Sequence, residues 1–333
     1  MRRITVAHTR KHFARILGGL LAVLAMLIAG PAPAQTYPTH PIRLIVPFPP
    51  GGLNDTVARL LQPYLEKSLG QPVVIENRAA ASGIVGTESV AKAMPDGHTL
   101  LMVASSHTVI PATTAKLPYD AERDFAPITV VGQNPYLFVI NSRLPAKTLG
   151  EFVALAKASP GKLNYATPGA ASQSQLITEL FDREAGITMQ HIPYRGGAPA
   201  VLATVAGESQ FAVLSPLVSL PQINAGSLRA IAAGSLARDP QFPDLPTVAE
   251  QGFPGFEAIQ WVGLLTTAGT PRATVERLNA EVNRAIREPD LIGKLAALGI
   301  SPAGGSPEEF QARISREIHS WTEIAHAANI KAE

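Results

Sequence analysis

The 333-residue chain contains no cysteine. Disulfides and thiolate metal sites are thereby excluded, and the fold must rest on its core alone. The usual signatures of catalysis are also missing. No His-Glu-x-x-His pair is present, which counts against zinc-protease chemistry. No Gly-x-x-x-x-Gly-Lys-Ser/Thr loop is present to cradle a nucleotide phosphate. Gly207-Glu208-Ser209-Gln210-Phe211 begins like a nucleophile elbow but lacks the closing glycine. Gly83-Ile84-Val85-Gly86 offers two glycines and no dinucleotide fingerprint. His98, His107 and His191 stand alone in sequence, with no spaced partner, and read as turn or packing residues. The chain is thus expected to have no catalytic set, no cofactor and no metal.

A dominant charge is lacking too. Five of the 28 basic residues, and none of the 26 acidic ones, fall within residues 1–34. The remaining chain carries 23 basic against 26 acidic residues, a formal net of −3. Nothing in that balance favours nucleic acid or an anionic membrane as partner. Residues 1–34 instead read as an export signal. Arg2, Arg3, Arg10, Lys11 and Arg15 precede an apolar run from Ile16 to Ile28, and Ala32-Pro33-Ala34 is a small-x-small cleavage site. The apolar run is short against the roughly 20 residues that a membrane span needs.

What is present is an alternation of strands and helices. Ile42-Arg43-Leu44-Ile45-Val46 is a buried-strand pattern. It breaks at Pro47-Phe48-Pro49-Pro50-Gly51-Gly52, and Val57, Leu60, Leu61 and Leu65 then follow at helical spacing. Further strands are expected over 72–76, 99–104, 125–132, 136–140, 163–167, 189–194, 211–214, 228–233 and 261–265. Helices are expected over 87–93, 149–158, 176–185, after Ala200 to about 206, 273–287 and 307–327. Pro240 to Pro246 is expected to run extended over the surface. The alternation predicts an α/β fold with a parallel sheet, and the change of rhythm after residue 125 predicts a crossover into a second lobe. Gly51-Gly52, Gly169-Ala170 and Gly196-Gly197 each follow a strand and precede a helix. Ligands of open α/β sheets sit at such carboxyl ends, where backbone N–H groups and the helix dipole receive an anion. Asp55 either meets a ligand donor or supports its own helix start. Ser105, Ser106, Thr167 and Ser172 place hydroxyls at strand ends, where they either meet a ligand or close local turns.

In combination, several segments resemble one family, the Bug (TctC-type) receptors of tripartite tricarboxylate transporters. They include Tyr37-Pro38, Pro41 to Asp55, Leu69 to Arg78, Pro95-Asp96-Gly97, Leu117 to Asp120 and Asp124 to Ile128. Pro160 to Leu163, His191 to Ala200, Ala225 to Arg229 and Pro243 to Glu250 continue the likeness, which spans essentially the whole chain after residue 34. The resemblance implies a two-lobe, Venus-flytrap fold of type II. Lobe 1 would comprise residues 35–135 with 258–333, and lobe 2 residues 136–257. It also implies a periplasmic receptor, not an enzyme, that holds a small carboxylate between the lobes through backbone groups, hydroxyls and water. The receptor would be a monomer and would pass its ligand to membrane permease subunits. The candidate ligand-binding residues are Phe48, Gly51, Gly52, Leu53, Asp55, Ser105, Ser106, Thr167, Ala170, Ser172, Arg195, Gly197 and Ser215. The chain departs from the family pattern at two places. Gln175-Leu176 stands where a histidine-leucine pair is usual. Val201 to Thr204 and Gln210-Phe211 stand where acidic residues are usual, which removes charge near the second lobe. A ligand sensor for a signalling partner, and an exported hydrolase on the same scaffold, are the competing functions.

Overall fold

The computed structural model describes residues 37–332, so the expected export signal and its cleavage site lie outside the described residues. The body of the protein begins at His40. Its first sheet contains β1 (Ile42–Val46), β2 (Val73–Asn77), β3 (Thr99–Ala104), β4 (Phe125–Pro135), β10 (Ile259–Thr267) and β11 (Ser301–Gly304), in the order β11-β4-β10-β3-β1-β2. The second sheet contains β5 (Leu137–Asn141), β6 (Asn164–Thr167), β7 (Gln190–Pro193), β8 (Phe211–Leu214) and β9 (Leu228–Ala233), in the order β7-β6-β8-β5-β9. Helices α1 (Leu53–Leu69), α2 (Ile84–Ala91), α3 (Ser106–Thr113), α8 (Arg272–Ala285) and α9 (Pro289–Ala296) alternate with strands of the first sheet. Helices α4 (Leu149–Ala158), α5 (Gln173–Ala185), α6 (Gly197–Ala206) and α7 (Pro216–Asn224) do so in the second, and α10 (Pro307–Ala327) closes the chain.

Neither sheet is purely parallel, which corrects the expectation from sequence. β1 pairs in parallel with β2 and β3, but β10 runs antiparallel to both β3 and β4. In the second sheet β6 is parallel to β7 and β8, while β5 is antiparallel to β8 and β9. The reversals follow from the crossovers. A strand that leaves one sheet to enter the other arrives against the direction of the strands it joins. The two crossings are knit by backbone hydrogen bonds: Tyr136 N–H donates to Ala258 O at 2.9 Å, Gly234 N–H to Tyr136 O at 2.8 Å and Ala258 N–H to Gly234 O at 2.7 Å. A Cβ on Gly234 would lie 2.5 Å from Ala258 O, so only glycine fits this joint.

Three helices and one strand arise where the sequence gives no signal. α3 is rich in β-branched residues and contains Pro111, and α7 contains Pro216 and Pro221. Intrinsic propensity is poor in both, but α3 buries His107, Thr108 and Val109. α9 is an eight-residue helix that buries only Leu291 and Leu295. β11 reads Ser-Pro-Ala-Gly and pairs only with β4, an edge position that tolerates proline. Residues 240–246 are turned rather than extended, with Phe242 N–H on Asp239 O and Leu245 N–H on Phe242 O. Phe242 and Leu245 pack there against the second-lobe core.

Each sheet has its own core. Phe138, Phe152, Phe181, Phe211 and Phe256 fill the second, with Phe152 stacked on Phe211 at 4.8 Å. Ile45, Leu101, Trp261, Leu265 and Phe310 lie in the first. α10 belongs to both: Phe310 and Ile314 enter the first core, and Trp321, Ile324 and Ala325 enter the second.

Candidate functional site

Three glycine loops do sit at carboxyl ends of strands, as the sequence predicts. The first follows β1. Gly51 turns with φ of +79° and donates its N–H to Asp55 Oδ2 at 2.8 Å. Asn77, at the end of neighbouring β2, donates Nδ2 to Asp55 Oδ1 at 2.9 Å and to Phe48 O at 3.1 Å. Arg59 closes the set, with its Nε 3.0 Å from Asp55 Oδ2. Burial pushes the Asp55 carboxyl up, but the donors from Arg59, Gly51 and Asn77 outweigh it and hold the pKa down to about 2. Asp55 thus supports its own loop at the start of α1.

The small residues from 79 to 86 press on the same loop. A Cβ on Gly86 would lie 2.8 Å from Arg78 O and 2.9 Å from Pro47 Cα, and one on Gly83 would lie 3.1 Å from Pro47 O. Ala81, Ser82 and Gly83 are consecutive positive-φ residues, at 47°, 55° and 92°. Such backbone persists only where its surroundings over-determine it. Gly83-x-x-Gly86 therefore has a packing role that its sequence does not announce. Asn77 is also silent in sequence, although the parallel pairing Val46↔Asn77 places it beside the turn.

The second-lobe loops are held by neutral groups. Thr167 Oγ1 donates to Gly169 O at 2.9 Å and lies 2.7 Å from His191 Nε2. With the hydroxyl proton committed, the imidazole presents Nε2–H to Thr167. Burial lowers the His191 pKa to about 4, and the ring stacks on Tyr165 at 4.9 Å. Ser172 caps α5 by accepting from Gln175 N–H, and Gln175 Oε1 accepts Ala171 N–H at 2.8 Å. The two loops are joined where Gly196 N–H donates to Pro168 O at 2.9 Å. Arg195 and Ala170 are exposed, Gly197 packs toward Val218, and Ser215 stands at the N-cap of α7.

Gln173 connects the lobes. Its buried Oε1 accepts from Ser105 Oγ at 2.5 Å and Tyr136 OH at 3.1 Å, while Nε2 donates to Ile259 O at 3.3 Å. Ser106 begins α3 beside it, half-buried. The carboxyl ends of β3 and β6 are thereby brought face to face. Farther out, Gln241 Nε2 donates to Ser301 Oγ at 2.9 Å, a second contact between the lobes. Nothing in the sequence flags Gln173, because its partners lie 37 to 86 positions away.

The helix starts that follow these strand ends fall into two kinds. α1 begins at Gly52, α6 at Gly196 and α7 at Ser215, and none of these ends has a side-chain cap. α5 is capped by Ser172. First-turn N–H groups without a side-chain partner are suited to accept an anion. No helix among the described residues is long and apolar enough to cross a membrane.

The family model described as "Tripartite tricarboxylate transporter family receptor", TctC, matches residues 57–330. Protein BugT of Bordetella pertussis is 37% identical over 319 residues, covering 94% of this chain and 98% of BugT. Among solved structures, R. palustris Rpa4515 with adipate is 32% identical with a TM-score of 0.75, over 89% of this chain and 99% of that one. MatC from Rhodopseudomonas palustris with bound malate is 33% identical with a TM-score of 0.71, over 86% and 99%. The fold is the two-lobe α/β fold of the periplasmic binding proteins, and the chain belongs to the tripartite tricarboxylate transporter receptor family, the Bug or TctC family of solute receptors.

Proposed function

We propose that this protein is a periplasmic receptor that captures a small organic carboxylate between its lobes and delivers it to the permease subunits of a tripartite tricarboxylate transporter. It acts as a monomer and not as an enzyme. Lobe 1 comprises residues 35–135 with 258–333, and lobe 2 residues 136–257. The observation that carries the reading is the set of helix starts without side-chain caps at Gly52, Gly196 and Ser215, beside carboxyl strand ends that Gln173 draws together. The adipate and malate of the two R. palustris structures supply the ligand class.

In this reading Gly52 and Leu53 offer backbone N–H groups to one carboxylate, beside Phe48 as an apolar wall. Gly51 and Asp55 shape that loop, since the Gly51 N–H is already given to Asp55. Ser105, Ser106 and Ser215 add hydroxyls. Ala170, Arg195 and Gly197 meet the far end of the ligand, Arg195 as its cation. Thr167 and Ser172 hold the second-lobe loops in place.

The test is a thermal-shift screen of refolded, ligand-stripped protein against mono-, di- and tricarboxylates, followed by calorimetry. A ligand at about a hundred times its Kd adds about 2.7 kcal/mol of stability. Arg195→Ala is expected to weaken a dicarboxylate hit at least tenfold. Silence across all three classes would overturn the proposal.

A further inference from the structure

Away from the cleft, at the opposite end of the first sheet, three side chains converge that the proposed function does not use. We propose that His40, Asp96 and His98 form a binding site for a divalent transition-metal cation of the zinc class. Their donor atoms lie within 4.8 Å of one another. The His40 and His98 rings stack with centroids 3.7 Å apart and planes 7° apart.

The backbone builds this cluster. β1 and β3 are parallel neighbours with Arg43 opposite Thr99, so the residues preceding each strand emerge side by side. Arg43 N–H donates to His98 O at 2.8 Å and ties the two strand starts together. The turn before β3 passes through Gly97 at φ of +82°, and His98 N–H donates to Asp96 Oδ1 at 2.8 Å. That bond aims the carboxylate at the imidazoles and leaves lone pairs on both of its oxygens. His98 is buried and fixed, whereas His40 is exposed, which leaves a path for the ion from solvent.

The donor chemistry selects the cation. Two imidazoles and one carboxylate suit zinc, copper and nickel, whereas calcium and magnesium prefer all-oxygen shells. Bonds of about 2.0–2.1 Å in a tetrahedron put neighbouring donors roughly 3.3 Å apart. Stacked rings aim their in-plane lone pairs in parallel, so the exposed His40 side chain must swing off the stack and close the spacing by up to about 1.5 Å for both imidazoles to meet one ion. Water would fill the fourth position. At about 3.3 Å per residue, the five-residue β1 separates this site from the carboxylate loops by roughly 15 Å. The two sites therefore share a strand and no ligand group.

The test is calorimetric titration of the EDTA-treated, dialysed full chain after residue 34 with ZnCl2. One saturable site is expected. His40→Ala and Asp96→Asn should each weaken it at least tenfold, whereas His319→Ala, on the surface of α10, should leave it unchanged. Asn at 96 keeps the acceptor for His98 N–H, and a metal-free melting temperature within a degree of wild type would confirm that both variants fold. Co2+ in place of zinc should show d–d absorption that His40→Ala removes. No saturable uptake by the wild type, or equal affinity in both cluster variants, would overturn the proposal and leave the stacked rings as packing alone.

Discussion

The loop after β1 and the loops after β6 and β7 solve one problem by different chemistry. Each must hold a glycine turn rigid at the carboxyl end of a strand. The first does so with charge: the Asp55 carboxylate gathers Gly51, Asn77 and Arg59. The second does so with neutral groups, through Thr167, His191, Ser172 and Gln175. A charged anchor is stronger bond for bond, but it places a negative charge beside the loop proposed to receive an anion. Arg59 offsets that charge in the first lobe. The second lobe, with Arg195 exposed, adds none.

The contrast can be broken most severely at Gly86. Ala there pushes a Cβ onto Arg78 O and Pro47, backbone that has no freedom to yield. Gly86→Ala is expected to cost about 3 kcal/mol and to displace the Phe48 turn, read by urea unfolding and by loss of carboxylate binding. Asp55→Ala comes next, at about 2–3 kcal/mol, because three donors lose their acceptor at once. Equal losses from Asp55→Ala and Ser172→Ala would erase the distinction between charged and neutral anchors.

Acid should separate the two regions in order. His191 is neutral in the fold, with its pKa lowered to about 4 by burial, while an unfolded histidine titrates near ~6.5. Its contribution is complete above about 6.5 and is lost as pH falls toward 4. Asp55 has its pKa lowered to about 2, so its contribution survives to about pH 4 and is lost below. His107, buried in α3 with its pKa lowered to about 4, titrates in the same range as His191. Amide exchange resolved by residue is therefore the proper readout. Loosening is expected at 167–172 between pH 6.5 and 4, and at 47–55 only below that. Simultaneous loosening would contradict the assignment. The smallest effect belongs to Ser172→Ala, which removes one N-cap and should cost about 1 kcal/mol with the first-lobe loop unmoved.

Much of the scaffold was legible from pattern alone. Helices α4 and α10 begin and end at the residues that periodicity marks, and β1, β3, β8 and β9 appear as apolar runs. Local signals fail where tertiary packing decides. α3 and α7 carry internal prolines, and β11 has no strand-forming residue at all. The site shows the same division. Its glycine turns are written in sequence, but what fixes them is not. Asn77 acts because β2 lies beside β1, and Gln173 acts because the other lobe arrives to meet it. The pairing of His40 with His98 likewise depends on the register of two strands that sequence alone does not align.

The last long helix carries a mechanical consequence. α10 buries its first turns with one sheet and its later turns with the other, and Ile330 and the bond from Ala332 N–H to Thr113 O fasten the tail beyond it. Any swing of the lobes must bend this rod or peel one end of it away. The carboxyl terminus is thus a lever on the resting angle of the trap, and a bulky fusion at that end would bias the gape of the empty receptor before any solute arrives.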